Sequence, residues 1–148
     1  MGDGGGGDKL GLMRYLAIDL GEKRTGLAVG DDVTGVINPV GVLEMGRGSG
    51  LVEAIVRKVS EHAPDAVVVG LPLNMDGTES EGTEVAREFG AALAARSGKP
   101  VHYQDERLSS YAADQRMARS GKTHKQKKEL RDALAAGEIL RDYLDSRR

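Results

Sequence analysis

Short apolar runs separated by glycine-rich or charged turns open the chain, and later segments carry apolar residues at helical spacing. The first three runs, residues 13–20, 24–30 and 35–45, predict strands. Their short turns favour an antiparallel meander. Asn38-Pro39 in the third run predicts an edge position or a bulge, because proline cannot donate to a sheet ladder.

The rest of the chain alternates between helical and strand patterns. The segments are a helix at about 51–62, a strand at 66–71, a helix at about 79–96, a strand at 101–106, a short helix at about 109–119, a basic loop at 120–126 and a helix at about 127–145. The run at 66–71 is wholly apolar, as in a strand covered on both faces. Right-handed crossovers then predict an α/β fold with a five-stranded mixed sheet flanked by helices, the ribonuclease-H-like architecture.

Length and composition limit the class of protein. The 148 residues fit one domain, at 11–148, after a glycine-rich leader at 1–10 that we expect to be disordered. No run approaches the roughly 20 apolar residues of a membrane span, so no membrane partner is expected. The chain has no cysteine, which excludes disulfides and thiolate metal sites and fits a cytoplasmic protein.

A carboxylate at the end of the first strand is the most informative single residue. Asp19 lies in the otherwise apolar run Tyr15–Leu20, where an uncompensated charge is costly. A bound divalent cation would compensate the charge and could support phosphodiester chemistry. The alternatives are that Asp19 caps the strand end or pairs with Arg24 across the turn.

Further acidic residues occupy positions where strands end or apolar residues are expected. Asp105 and Glu106 end the fifth strand, and Asp132 lies in the last helix among alanines that permit close packing on the sheet. Carboxylates that converge at one sheet edge repel each other unless they are neutralised. Mg²⁺ or Mn²⁺ is the natural partner of such oxygen ligands, and two ions about 4 Å apart would activate water and stabilise a leaving oxygen.

Geometry distinguishes between the two adjacent acids. If the strands lie in the order three-two-one-four-five, the fifth strand is roughly 9 to 10 Å from Asp19, a gap that a long side chain closes better. Successive side chains of a strand point to opposite faces, so both acids cannot enter the site directly. We therefore favour Glu106 as the ligand and keep Asp105 as a second candidate. Local ion pairs are the alternatives: Arg107 within a strand-end turn, and Lys128 with Asp132.

Positive charge is concentrated in one segment, although the net charge is −2. Residues 116–131 carry seven lysines and arginines against Glu129 alone. A local excess of positive charge can bind a phosphate backbone even when the net charge of the chain is negative.

Four motifs resemble the YqgF family, also called RuvX, in their order and spacing. They are Asp19–Gly30, Val69–Thr78, Asp105–Ser110 and Asp132–Ala136, and the resemblance covers about residues 13 to 145. It implies a ribonuclease-H-like fold and a divalent-metal-dependent nuclease, with Holliday-junction resolution and maturation of the 5′ end of pre-16S ribosomal RNA as roles in the family. It also places the acidic residues of the family on Asp19, the Asp105–Glu106 pair and Asp132.

Nucleic acid is therefore the expected partner, bound through its phosphates rather than its bases. The candidate contacts are Arg24, Asn74, Arg107, Lys122, Lys125, Lys127 and Lys128. The segment that follows Asn74 also has the composition of a turn chosen for its backbone.

The leading hypothesis is an endonuclease that cuts branched DNA or precursor ribosomal RNA, with Asp19, Glu106 and Asp132 as metal ligands. Symmetric cutting of a four-way junction would need two active sites and hence a homodimer on the substrate. One alternative is a non-catalytic nucleic-acid-binding module of the same fold. Another is a nucleotide-binding fragment of the actin and sugar-kinase type, which the length disfavours because those proteins close two such domains on a nucleotide.

Overall fold

The computed structural model describes residues 12–107 and 124–147, with side chains from residue 130 onward in the second range. The leader at 1–10, the helix predicted at about 109–119 and Lys122 lie outside these residues. The side chains of Lys125, Lys127 and Lys128 also lie outside them.

Five strands and three helices make up the described part of the chain. They are β1 Arg14–Leu20, β2 Thr25–Asp31, β3 Ile37–Leu43, α1 Ser49–His62, β4 Ala66–Leu71, α2 Glu81–Ser97, β5 Val101–Asp105 and α3 His124–Ser146. The strands form one mixed sheet in the order β3-β2-β1-β4-β5, with β1 antiparallel to β2 and parallel to β4. This confirms the predicted architecture. None of the helices in the described ranges has the length and apolarity of a membrane span.

The edge strand β3 behaves as its proline predicted. Among the described strands it pairs only with β2, and the register between the two strands shifts between Leu27 and Ala28. Gly41 lies opposite Leu27 and Pro39 opposite Ala28, so one extra residue is accommodated there as a bulge.

Most predicted boundaries lie within about two residues of the structure, and two of the differences concern the site. Helix α3 begins at His124, so Lys125 lies on the helix and the predicted loop at 120–126 is wrong from residue 124 onward. The prediction missed this turn because His124, Lys125 and Gln126 show no apolar period, although lysine and glutamine are good helix formers. Strand β5 ends at Asp105, and Glu106 follows it.

The two faces of the sheet are covered by different helices. Leu16 and Ile18 of β1 lie in the core beneath α1 and α2, whereas Tyr15 and Ala17 pack with α3. Because side chains alternate along a strand, Asp19 lies on the α3 side of the sheet.

Helix α3 packs closely on β2 because β2 presents small residues to it. These are Gly26, Ala28 and Gly30, which alternate along the strand. A Cβ atom at position 26 would overlap the main-chain carbonyl of Asp132. On the helix, Ala133 and Ala136 are buried, as the alanines around Asp132 predicted. The close approach brings the backbone at Asp132 against the start of β2.

Gly26→Ala is expected to destabilise the protein by about 1 to 3 kcal/mol, because the added methyl group would displace a helix backbone rather than a flexible side chain. The free energy of unfolding from urea denaturation measures this effect. Gly46→Ala is the matched control, since the nearest heavy atom to an added Cβ there is 3.9 Å away. Equal stability of the two variants would contradict the close packing described above.

Candidate active site

Asp19 lies at the end of the central strand between two positions that have no side chain. Its neighbour on β2 is Gly26. On β4, Ile18 pairs with Val69, so Gly70 follows at the level of Asp19. The α3 face of the sheet is therefore open on both sides of the Asp19 carboxyl group.

Glu106 fills the space above Gly70. A Cβ atom at position 70 would overlap Oε2 of Glu106 and lie 3.1 Å from its Cδ. The main-chain N–H of Glu106 donates to the carbonyl of Leu71 at 3.2 Å, which fixes the residue beside the end of β4. Its side chain reaches across β4 towards Asp19, and each of the two carboxyl groups shifts the pKa of the other.

Both carboxyl groups of this pair hold protons more tightly than usual. Burial raises the pKa of Asp19 to about 6, and the charge of Asp132 adds to this effect, while the hydrogen bond from Glu106 opposes it. Burial raises the pKa of Glu106 to about 8, together with the charge of Asp19 and the hydrogen bond to it. At neutral pH the proton therefore resides on Glu106. Its Oε2 atom is buried and has no hydrogen-bond partner among the described residues.

Asp132 approaches the same place from α3 and is held by an arginine. The Nε atom of Arg24 donates to Oδ2 of Asp132 at 2.7 Å. The two side chains are only 32% and 20% exposed, so this pair is better shielded than a surface ion pair. The sequence alone suggests Asp19 or a phosphate as the partner of Arg24, and Lys128 as the partner of Asp132. The side chain of Lys128 lies outside the described residues.

Asp105 is engaged in a different set of contacts. Its carboxylate accepts from Nε of Arg107 at 2.8 Å and from the main-chain N–H of Arg107 at 3.0 Å. These bonds lower the pKa of Asp105. The local pairing considered for Arg107 is thus present, and of the two adjacent acids it is Glu106 that lies next to Asp19.

Two of the predicted nucleic-acid contacts build a loop instead of standing free. Nη1 of Arg107 donates to the carbonyl of Met75 at 2.9 Å, and the Asn74 amide donates to Oγ1 of Thr78 at 3.0 Å. Gly77 has a φ of 89°, which favours glycine, and its N–H donates to the carbonyl of Asn74. Arg107 and Asn74 therefore fix the loop after β4, as the turn composition predicted.

The arrangement of the Asp19, Glu106 and Asp132 carboxylates in the structure matches a divalent-cation site only in part. Within residues 12–107 and 130–147, no three acidic or histidine side chains form a ready-made metal site. The donor chemistry nevertheless suits Mg²⁺ or Mn²⁺, since all the groups are carboxylates and the Glu106 Oε2 atom lacks a partner. Asp19 and Glu106 are already adjacent, and Asp132 could join them after leaving Arg24.

An apolar cavity of about 490 Å³ lies elsewhere, between α1 and α2 on the opposite face of the sheet. Leu20, Val52 and Phe89 line it, with Arg47 and Arg96 among its polar residues. Because none of the clustered carboxylates lines this cavity, the chemistry is better assigned to the α3 side.

Comparison with known proteins now gives the family. The family model described as "RuvX: Holliday junction resolvase" matches residues 13–146. The chain belongs to the RuvX family. A protein of Anaeromyxobacter sp. strain Fw109-5 named "Putative pre-16S rRNA nuclease" is 40% identical over 135 residues, 91% of this chain and 98% of that protein. A protein of the same name from Pseudomonas putida is 39% identical over 136 residues, 91% of this chain and 96% of that one.

Solved structures show the same fold at much lower identity. RuvC of T. thermophilus in complex with a Holliday junction matches with a TM-score of 0.53 and 18% identity, over 88% of this chain and 94% of that one. Fowlpox virus resolvase with its junction DNA matches with a TM-score of 0.58 and 14% identity, over 90% and 98%. The comparisons confirm the resemblance and the ribonuclease-H-like fold of this RuvX member.

Sequence reasoning missed the glycines that make room for the carboxylates. Gly70 interrupts the run Val67–Leu71, which is otherwise aliphatic. A glycine inside such a strand signals a close approach by another group, so this signal was available. Gly26 gave a weaker signal, because it lies beside a turn where glycine is common for other reasons.

The acid pair predicts a pH-dependent stability. The pKa of Glu106 rises from 4.5 to about 8 on folding, so the folded protein binds this proton more tightly and unfolding releases it. Between those pH values, Glu106 should therefore lower the free energy of unfolding by about 1.4 kcal/mol for each pH unit of increase. Asp19 acts in the same direction, with its pKa raised from 3.8 to about 6.

Urea denaturation from about pH 5 to about pH 8.5, with a chelator present, measures the slope for the wild type and Glu106→Gln. The variant should lose part of the decline and gain stability relative to the wild type at the alkaline end. Glu61→Gln is the control, since Glu61 is an exposed residue paired with Lys58 on α1. Parallel curves for the wild type and Glu106→Gln would show that the acid pair is not buried as described.

Proposed function

We propose that this RuvX member is a divalent-metal-dependent endonuclease that hydrolyses phosphodiester bonds in structured nucleic acid. Its metal ligands would be Asp19, Glu106 and Asp132, and the metal Mg²⁺ or Mn²⁺. The observation that supports this most is the carboxyl pair of Asp19 and Glu106, formed across Gly70 while Asp132 approaches from α3. When bound, the cation supplies a water of lowered pKa and stabilises charge on the leaving oxygen.

The chain itself positions the proposed metal ligands and sets their protonation state. Asp19 stands at the centre of the sheet, where both neighbouring strands support it, so its carboxylate can serve as the fixed ligand. Glu106 keeps its proton at neutral pH, and a bound cation would replace that proton. Burial of the pair keeps water away from unused carboxyl oxygens and strengthens the electrostatic interaction with a cation.

Substrate contact is proposed at the start of α3. Lys125, Lys127 and Lys128 precede Asp132 by one to two helical turns, roughly 6 to 10 Å along the axis. A strand whose phosphates lie on this end of the helix would pass the carboxylates. Such contacts fix position without reading sequence, in keeping with branched DNA or folded precursor ribosomal RNA as substrate. Symmetric resolution of a junction would bring two copies of the chain to it.

A binding module without catalysis explains the site less well. Such a module needs cationic contacts, but it gains nothing from two buried carboxyl groups whose pKa values are raised towards neutral pH. Perturbed acids of this kind concentrate at functional sites. We therefore retain the module only as the outcome expected if no metal supports cleavage.

Substitution of the two adjacent acids tests the assignment. Glu106→Gln should slow cleavage by about 100-fold or more, because it removes a ligand, whereas Asp105→Asn should cost about tenfold or less through the Arg107 loop. Initial rates are measured on a synthetic four-way DNA junction and on a precursor of 16S ribosomal RNA, each with Mg²⁺ and with Mn²⁺. Asp19→Asn is the inactive reference in every series.

The two substrates distinguish the roles implied by the family. Metal-dependent cutting of one and not the other identifies the substrate class. Equal rates for Glu106→Gln and the wild type would refute the ligand assignment. Salt-sensitive binding without cleavage in either metal would establish the binding module instead.

A further inference from the structure

The ion pair between Arg24 and Asp132 occupies a carboxylate that the proposed metal site needs. Arg24 Nε donates to Oδ2 of Asp132 at 2.7 Å, and neither side chain is more than a third exposed. The charge of Asp132 also reaches Asp19, whose pKa it raises. The backbone of Asp132 lies against Gly26, which is the β2 neighbour of Asp19, so Asp132 lies beside the acid pair while it is bonded to the guanidinium. The Asp132 carboxylate can therefore bind either the guanidinium of Arg24 or a cation held at the acid pair.

The local backbone keeps Arg24 at this position. A Cβ atom at position 21 would overlap the carbonyl of Arg24, so the turn between β1 and β2 closes tightly around glycine. Thr25, the next residue, is fully buried at the start of β2. With the main chain fixed on both sides, the long side chain is the part of Arg24 that can move.

Arginine is suited to a carboxylate and to a phosphate in turn. Its planar guanidinium offers five donors in a fork that matches both groups, and it is less strongly hydrated than an ammonium ion. A cation that binds Asp132 would therefore leave a charged, phosphate-compatible group beside the ions.

We propose that Arg24 is a placeholder: it holds Asp132 in the metal-free protein, yields that carboxylate to a divalent cation, and then binds the phosphate that is cut. This inference rests on the proposed function. Arg24 would compete with the metal for Asp132 and would also bind the substrate. Loss of Arg24 should therefore strengthen metal binding and slow cleavage. If the ion pair were purely structural, breaking it would weaken both metal binding and cleavage.

Calorimetric titration with Mn²⁺ tests the competition. Arg24→Gln should bind Mn²⁺ about tenfold more tightly than the wild type, because one competing positive charge is removed from a partly buried site. Arg47→Gln is the matched control: it removes an arginine that donates to the Gly21 carbonyl of the same turn, and its affinity should stay within about twofold of the wild type. In an Asp132→Asn background, Arg24→Gln should have no effect on Mn²⁺ affinity.

Cleavage at saturating Mn²⁺ tests the second part. Arg24→Gln should be slower by about 10- to 100-fold although its site is fully loaded, because a phosphate contact is lost. Unchanged or weaker Mn²⁺ affinity in Arg24→Gln would overturn the proposal, as would an equal gain in Arg47→Gln. An undiminished cleavage rate would overturn it as well.

A measurement on the wild type covers the case in which Arg24→Gln does not fold. The Nε–H proton of Arg24 should give a distinct NMR resonance while it is bonded to Asp132, and titration with Mg²⁺ should shift that resonance. A resonance that stays in place at saturating Mg²⁺ would overturn the proposal.

If the wild type neither binds metal nor cleaves, the proposed function fails and this inference with it. If the wild type does both, a negative result for Arg24 refutes the inference alone.

Discussion

The site depends on the absence of side chains on either side of Asp19. Gly26 on β2 lets the backbone of α3 approach until Asp132 stands near the strand end, and Gly70 on β4 lets Glu106 cross a whole strand. A methyl group at either position would occupy space that a functional residue uses. Three carboxylates from distant parts of the chain can approach one another because of these two glycines.

The resulting crowding of acids is compensated in two ways within the described residues. A proton on Glu106 relieves its repulsion with Asp19, and the Arg24 guanidinium relieves that of Asp132. In the proposed function both forms of compensation are reversible, because a bound cation would displace the proton and the arginine. A site made permanently neutral by apolar substitution would be more stable but could not bind metal. We interpret the raised pKa values of Asp19 and Glu106 as the stability cost of a site that can bind a cation.

Much of this arrangement could be predicted from the sequence, for physical reasons. Strand alternation and the crossover rule determined the sheet, and the pleat together with side-chain length favoured Glu106 over Asp105 as the neighbour of Asp19. The Arg24–Asp132 pair could not be predicted, because it joins residues 108 positions apart and requires the close packing of α3 on β2. The start of α3 was missed since its first turn carries no apolar period. The family comparisons confirm the fold and the family.

Proton release on metal binding tests the central claim most directly. Calorimetric titration of the full chain with Mn²⁺ near neutral pH, in two buffers of different ionisation enthalpy, reports how many protons leave as the ion binds. The account predicts release of about one proton per site, chiefly from Glu106, and a clear reduction in Glu106→Gln. Absence of Mn²⁺ binding, or binding without proton release in the wild type, would contradict it.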